Sequence, residues 1–135
     1  MTEPPSFRST CPIASALDLV GDRWTLVIAR DMVFGAATFG DFAAGAERIP
    51  RNILADRLKK MEAAGLVRRE RYQERPDRFR YVLTDQGAAL LPVIQALARW
   101  GAATLSHAMS PPDALLSATP ATLIAAQVRP DKPQV

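Results

Sequence analysis

Cysteine and histidine are nearly absent: Cys11 and His107 stand alone among 135 residues. A lone cysteine cannot form a disulfide within this sequence, which fits a reducing compartment. No Cys/His pair has metal-ligand spacing, no glycine-rich loop could cradle a phosphate, and no Ser-His-Asp set can be assembled. His107 falls near the end of the last long helical pattern, where a cation facing a helix C-terminus is a more natural reading than a catalytic base. The acidic residues are scattered, mostly beside arginines. These absences weigh against an enzyme, a metal centre and a cofactor. Long apolar runs are also missing, and MTEPPSFRST lacks the charged-then-apolar order of a secretory signal. A cytoplasmic protein without a membrane partner is the expectation. No internal repeat is present.

The apolar fraction of 48% and charged fraction of 23% are those of an ordinary globular chain, and the length suits one domain with a real core. The net charge of +3 is modest but unevenly placed. Arg48 to Arg80 holds eleven basic and five acidic residues, a balance of +6 against −3 for the remainder. Such a block suggests a polyanionic partner, although charged runs are often only solvated faces.

The chain divides into a flexible arm (1–10), a folded region (11–107) and a Pro-rich C-terminal tail (108–135). Ile13, Leu17 and Val20 recur at helical spacing, predicting a short amphipathic helix that Gly21 ends. Asp22 is a plausible cap for a buried helix from Arg23 to about Phe34. Thr38, with Asp41 three residues on, caps a third helix to about Gly45. Pro50 sits at the first position of a fourth, which runs to about Ala64 and stops at Gly65. LVRRERY and FRYVL read as strands joined by a turn at Pro76-Asp77. A last helix is expected from Thr84 to about His107, kinked at Pro92. The tail holds five prolines and room for one short helix between Thr119 and Gln127. The fold class is mainly α with a small β-hairpin: helix, turn, second helix, then a two-stranded wing, the layout of a winged helix-turn-helix domain, with N- and C-terminal dimerisation helices.

At 100° per residue, Leu54, Leu58 and Met61 of IPRNILADRLKKMEAAG share a narrow core-facing arc. Asn52, Asp56 and Lys59 face the other way, flanked by Ala55 and Lys60, with Arg51 and Arg57 on the shoulders. This suits a helix entering a major groove: arginine can pair with guanine, asparagine with adenine, and lysine neutralises phosphate. Any amphipathic surface helix shows a polar face, but the basic hairpin follows at once. Its Arg75, Arg78 and Arg80 would meet phosphates, with Tyr72, Phe79 and Tyr81 anchoring the base. The alternative is a winged-helix protein-interaction module, or a non-specific nucleic-acid binder with no sensing role. A protein interface should expose aromatics on the fourth helix, and none falls there.

CPIASALDLVGDRWTLVIARDM, FGDF, NILADRLKKMEAAGLVRRERY, RPDRFRYVLTDQG and LLPVIQALARWG together resemble the HxlR-type bacterial transcriptional regulators over about Cys11 to Gly101. The resemblance implies a homodimeric winged helix-turn-helix repressor or activator that binds double-stranded promoter DNA. Its recognition helix would be Pro50–Ala64 and its wing about Tyr72–Arg80. Family members often carry Gly-Ile-Ser where this chain has Arg48-Ile49-Pro50, so a capping hydroxyl is lost. Some members sense oxidants or electrophiles through the cysteine matching Cys11.

The last helix supports a dimer from its own residues. Leu90, Leu91, Val93, Ile94, Leu97, Ala98, Trp100, Gly101 and Leu105 cover about half its circumference, more than a monomer's core requires. A two-fold protein predicts an inverted-repeat operator. Cys11 has two readings: a small buried hydrophobe, or a thiol at a helix N-terminus open to an oxidant or a small-molecule effector.

Overall fold

In the computed structural model residues 6–127 are described; residues 1–5 of the expected arm and 128–135 of the expected tail lie outside them. Helices α1 (Pro12–Val20), α2 (Thr25–Val33), α3 (Phe39–Ala43) and α4 (Arg51–Ala63) lead into an antiparallel hairpin, β1 (Val67–Gln73) and β2 (Arg78–Leu83). Four helices follow: α5 (Asp85–Ala88), α6 (Leu91–Thr104), α7 (Asp113–Ser117) and α8 (Pro120–Gln127). The mainly α winged helix-turn-helix architecture is thus observed.

Local chemistry sets the boundaries. The Thr38 side chain accepts from the Asp41 amide while the Asp41 carboxylate accepts from the Thr38 amide, a reciprocal capping box. Gly65 ends α4 at φ +78°, so its N–H reaches the Glu62 carbonyl and that of Leu66 reaches the Met61 carbonyl, 2.9 Å away. That left-handed closure favours glycine. Leu66, which it turns inward, joins the core. Pro50 occupies the N-cap of α4 rather than its first helical position, and no side chain caps that end.

The core is one cluster. Leu54, Leu58 and Met61, the predicted seam of α4, are at most 2% exposed and meet Ile28, Ala29 and Met32 of α2, Phe42 of α3, and Leu91 and Ile94 of α6. Val67 and Leu83 close the base of the hairpin. The Phe42 and Tyr81 rings meet edge to face at 6.3 Å.

Two expectations are corrected. The single helix from Thr84 to His107 is two, α5 and α6, broken at Ala89-Leu90. Thr84 caps α5 through the Gly87 amide. Pro92 has no N–H with which to bond Ala88, so the chain makes a turn there, Leu90 N–H to the Gly87 carbonyl, and restarts. Helix α6 stops at Thr104, leaving His107 exposed beyond it instead of in its last turn. The Pro-rich tail holds two helices where at most one was expected: Pro112 leads α7 and Pro120 begins α8. Leu115 and Leu123 are buried in the common core.

Candidate nucleic-acid interface

Helix α4 exposes Arg51, Asn52, Ala55, Asp56, Lys59 and Lys60, while Arg57 is half-buried. The Arg57 Nε donates to Asp22 Oδ2 at 2.9 Å and Nη1 reaches Asp56. Asp22 also accepts from the Trp24 and Thr25 amides and the Thr25 hydroxyl, so one carboxylate holds the start of α2 and grips α4. Burial alone would raise the Asp22 carboxyl, but the bonds from Thr25, Trp24 and Arg57 outweigh it and hold it below its ordinary range. Arg57, expected at the DNA, is therefore committed inward. Asp56 is paired with Arg57 and, at 3.3 Å, with Lys60. A second brace joins α2 to the turn before α4: Arg30 bonds both oxygens of Glu47, at 2.7 and 2.8 Å. The Glu47 carboxyl is lowered by that guanidinium.

The hairpin sorts its arginines in the same way. Glu70 pairs with Arg68 at 2.7 Å and with Arg80 at 3.3 Å. Arg71 lies between Glu74 and Asp77, and Arg69 sits over the Phe79 ring at 4.6 Å with Glu62 at 4.0 Å. Arg80, expected to be free for phosphate, is half-buried and paired. Each of the five acids in this basic block is thus engaged, and among the described residues five of its cations have no ionic partner: Arg48, Arg51, Lys59, Arg75 and Arg78. Three lie on or just before α4 and two on the wing tip. Arg51 rests against the Phe39 ring at 5.7 Å. Arg48 and Arg75 take positive φ, +58° and +57°.

The wing is fastened to the helices by a bond that sequence patterning did not reveal: the Tyr81 amide donates to the Ala37 carbonyl at 2.7 Å. Asp22 as the brace of α4 was also missed, because its partner lies 35 residues away. Its place after Gly21 suggested a cap, and it does bind the Trp24 and Thr25 amides, but α2 starts at Thr25 with Trp24 at the N-cap, two residues later than expected.

The apolar residues expected to pair two copies divide. Leu91 and Ile94 are buried in the protomer's own core, a correction that follows from α6 packing against α2. Leu90, Ala98 and Gly101 are half-buried. Val93, Leu97, Trp100 and Leu105 stand out, Trp100 at 60% exposure. On α1, Ile13 and Leu17 are exposed as well, and only Val20 is buried. Cys11, at the N-cap of α1, is exposed, not a core hydrophobe. Among the described residues no group of His, Cys, Asp or Glu side chains could hold a metal, and no helix is long and apolar enough to cross a membrane.

The profile of the HxlR-like helix-turn-helix family matches residues 19–109. An uncharacterised HTH-type transcriptional regulator of Mycobacterium tuberculosis is 40% identical over 100 residues, 74% of this chain; the chain spans 63% of that relative's length. Among solved structures, the redox regulator HypR in its reduced form aligns with TM-score 0.64 at 30% identity over 69% of this chain and 92% of HypR. The reduced transcriptional regulator YodB from Bacillus subtilis aligns with TM-score 0.61 at 30% identity, covering 75% of this chain and all of YodB.

Proposed function

The chain belongs to the HxlR-like helix-turn-helix family, and from that premise we propose that it is a transcriptional regulator that binds double-stranded promoter DNA as a homodimer. The observation that carries the reading is the set of five unpaired cations, Arg48, Arg51, Lys59, Arg75 and Arg78, spread over one helix and one wing beside the exposed Asn52. Helix α4 is the recognition helix. Asn52 reads base edges, Ala55 permits close approach, and Arg48, Arg51 and Lys59 meet phosphate. Arg75 and Arg78 meet the adjacent backbone, while Arg57, Asp56 and Arg80 orient these elements from within. The names of its relatives support a regulator and not an enzyme.

The exposed stripe Val93, Leu97 and Trp100, at helical spacing on α6, supports pairing with a second copy. A two-fold dimer would recognise an inverted repeat, with half-sites about 10 bp or a multiple apart. An operator overlapping the polymerase site would make the protein a repressor. The test is fluorescence anisotropy with the DNA upstream of the protein's own gene against a scrambled duplex, at two salt concentrations. Tight, salt-sensitive binding that prefers the upstream DNA supports the reading. Equal binding of both duplexes supports a non-specific module instead.

A second reading adds oxidant response. Cys11 is exposed at a helix N-cap, and HypR, to which the chain is similar, is named a redox regulator. Two Cys11 thiols, one from each copy, would lose two electrons and two protons to hydrogen peroxide and form a disulfide across the dimer, the peroxide leaving as two waters. Mass spectrometry after mild peroxide that finds a free thiol, with DNA affinity unchanged, removes this reading.

A further inference from the structure

Strand β2 has an outer edge that β1 does not cover. Along it the Tyr81 amide is taken by the Ala37 carbonyl, and the next outward-facing residue is Leu83. The Leu83 N–H donates to Gln127 Oε1 at 2.7 Å, and its carbonyl accepts from Gln127 Nε2 at 3.1 Å. One side-chain amide thus satisfies both backbone groups of an edge residue, as a neighbouring strand would. Gln127 is held in turn. Leu123, one turn earlier on α8, is buried in the core. The α7–α8 connection is gripped by Gln95 of α6, whose Nε2 donates to the carbonyls of Leu115 and Ala118, both at 2.9 Å. The family profile ends at residue 109, so this strap lies outside the part shared with the family.

We propose that Gln127 is a positioning residue for DNA binding: through Leu83 it fixes the angle at which β2 carries the wing arginines, so that the wing and α4 present one rigid basic surface. The proposal rests on the reading of Arg75 and Arg78 as phosphate contacts. Two fastenings hold the outer edge of β2, one from the turn before α3 and one from α8. Both lie at the base of the hairpin, where a small rotation becomes a large displacement at the tip. A freed Leu83 finds no replacement acceptor in the sheet, and the wing gains motion that must be quenched on binding.

The test uses the full chain with Gln127→Ala, and Arg75→Ala/Arg78→Ala with and without it. Amide exchange in free protein is expected to lose roughly tenfold protection at Leu83 and across the hairpin, with Leu58 and Met61 unchanged. The salt slope of duplex binding should flatten by about one unit in Gln127→Ala, and Gln127→Ala should add nothing once both wing arginines are gone. If the arginine pair flattens the slope while Gln127→Ala leaves it intact, the inference is wrong and the wing reading stands. If the arginine pair leaves the slope unchanged, the wing reading fails and takes the inference with it. Uniform loss of protection through α4 would show a stabilising role only, and likewise overturn the inference.

Discussion

Replacing Arg75 and Arg78 together with alanine tests the separation of paired from unpaired arginines most directly. Each free cation that meets a phosphate releases counterions, and log K falls against log salt with a slope of about −0.9 per neutralised phosphate. Five unpaired cations per protomer therefore give about −4.5 per half-site, or about −9 for a dimer on two half-sites. The double substitution removes two of the five, leaving about −5.4. Between 50 and 200 mM salt the wild type should lose roughly 10⁵ in affinity and the variant roughly 10³. Specific and scrambled duplexes should be affected alike, because backbone contacts carry no sequence information.

The informative control is Arg80→Ala, set beside Arg78→Ala, which removes the same single charge from the same strand. Arg80 is half-buried against Glu70, and Arg68 remains to pair with that carboxylate. Its slope should stay near that of the wild type. Anisotropy titrations at four or five salt concentrations, with melting curves to confirm folding, give the slopes of wild type, the double variant, Arg80→Ala and the two single variants. An equal change for Arg80→Ala and for each of the free arginines would falsify the argument, since ion pairing within the protein would then have no bearing on the DNA.

Asn52→Ala should lower preference for the upstream DNA by roughly 5- to 150-fold, the range for one bidentate base contact, and leave scrambled duplex untouched; equal loss on both duplexes argues against base reading by this residue. Leu97→Glu, placing a charge on the exposed stripe of α6, should weaken self-association by at least about 100-fold in sedimentation velocity while the protomer stays folded. Acid should destabilise the protein through Asp22, Asp41 and Glu47, whose carboxyls lie below their ordinary range, Asp41 because it accepts from the Ala37 and Thr38 amides. A lowered folded value means the unfolded chain binds more protons. Their stabilising contribution is therefore complete above the ordinary carboxylate range and is lost as pH falls through the folded values. Urea midpoints should drop below about pH 4, less steeply in Asp22→Asn, and a midpoint flat to pH 2 contradicts this.

Features carried by near neighbours in sequence were legible. The Leu54, Leu58 and Met61 seam, the Thr38–Asp41 box, the Gly65 stop and the hairpin around Pro76 each depend on residues within one turn or one strand pair. What escaped depends on distance along the chain. Nothing near Arg57 reveals that Asp22 will take it, and nothing near Leu91 shows that this leucine faces α2 and not a second copy. A helical wheel gives the width of an apolar face but not how much of it the protomer itself consumes. The strap escaped for a related reason: five prolines suggested a loose tail, yet Pro112 and Pro120 stand at helix N-termini, where a missing N–H costs nothing.

The Asp22–Arg57 pair has a further consequence for the surface it lies behind. Leu54, Leu58 and Met61 hold α4 by burial, which is strong but non-directional; it tolerates small rotations of the helix about its own axis. A charge-assisted hydrogen bond from Nε at 2.9 Å does not, because guanidinium and carboxylate must stay in register. On the proposed reading, rotation of α4 by one residue would carry Asn52 from the groove to its wall. Arg57, turned inward, is therefore what keeps Arg51, Asn52 and Lys59 aimed outward together. The brace from Arg30 to Glu47 does the same for the turn that sets the start of α4. By this logic the paired cations of the basic block decide where binding can occur, and the unpaired ones decide how strongly.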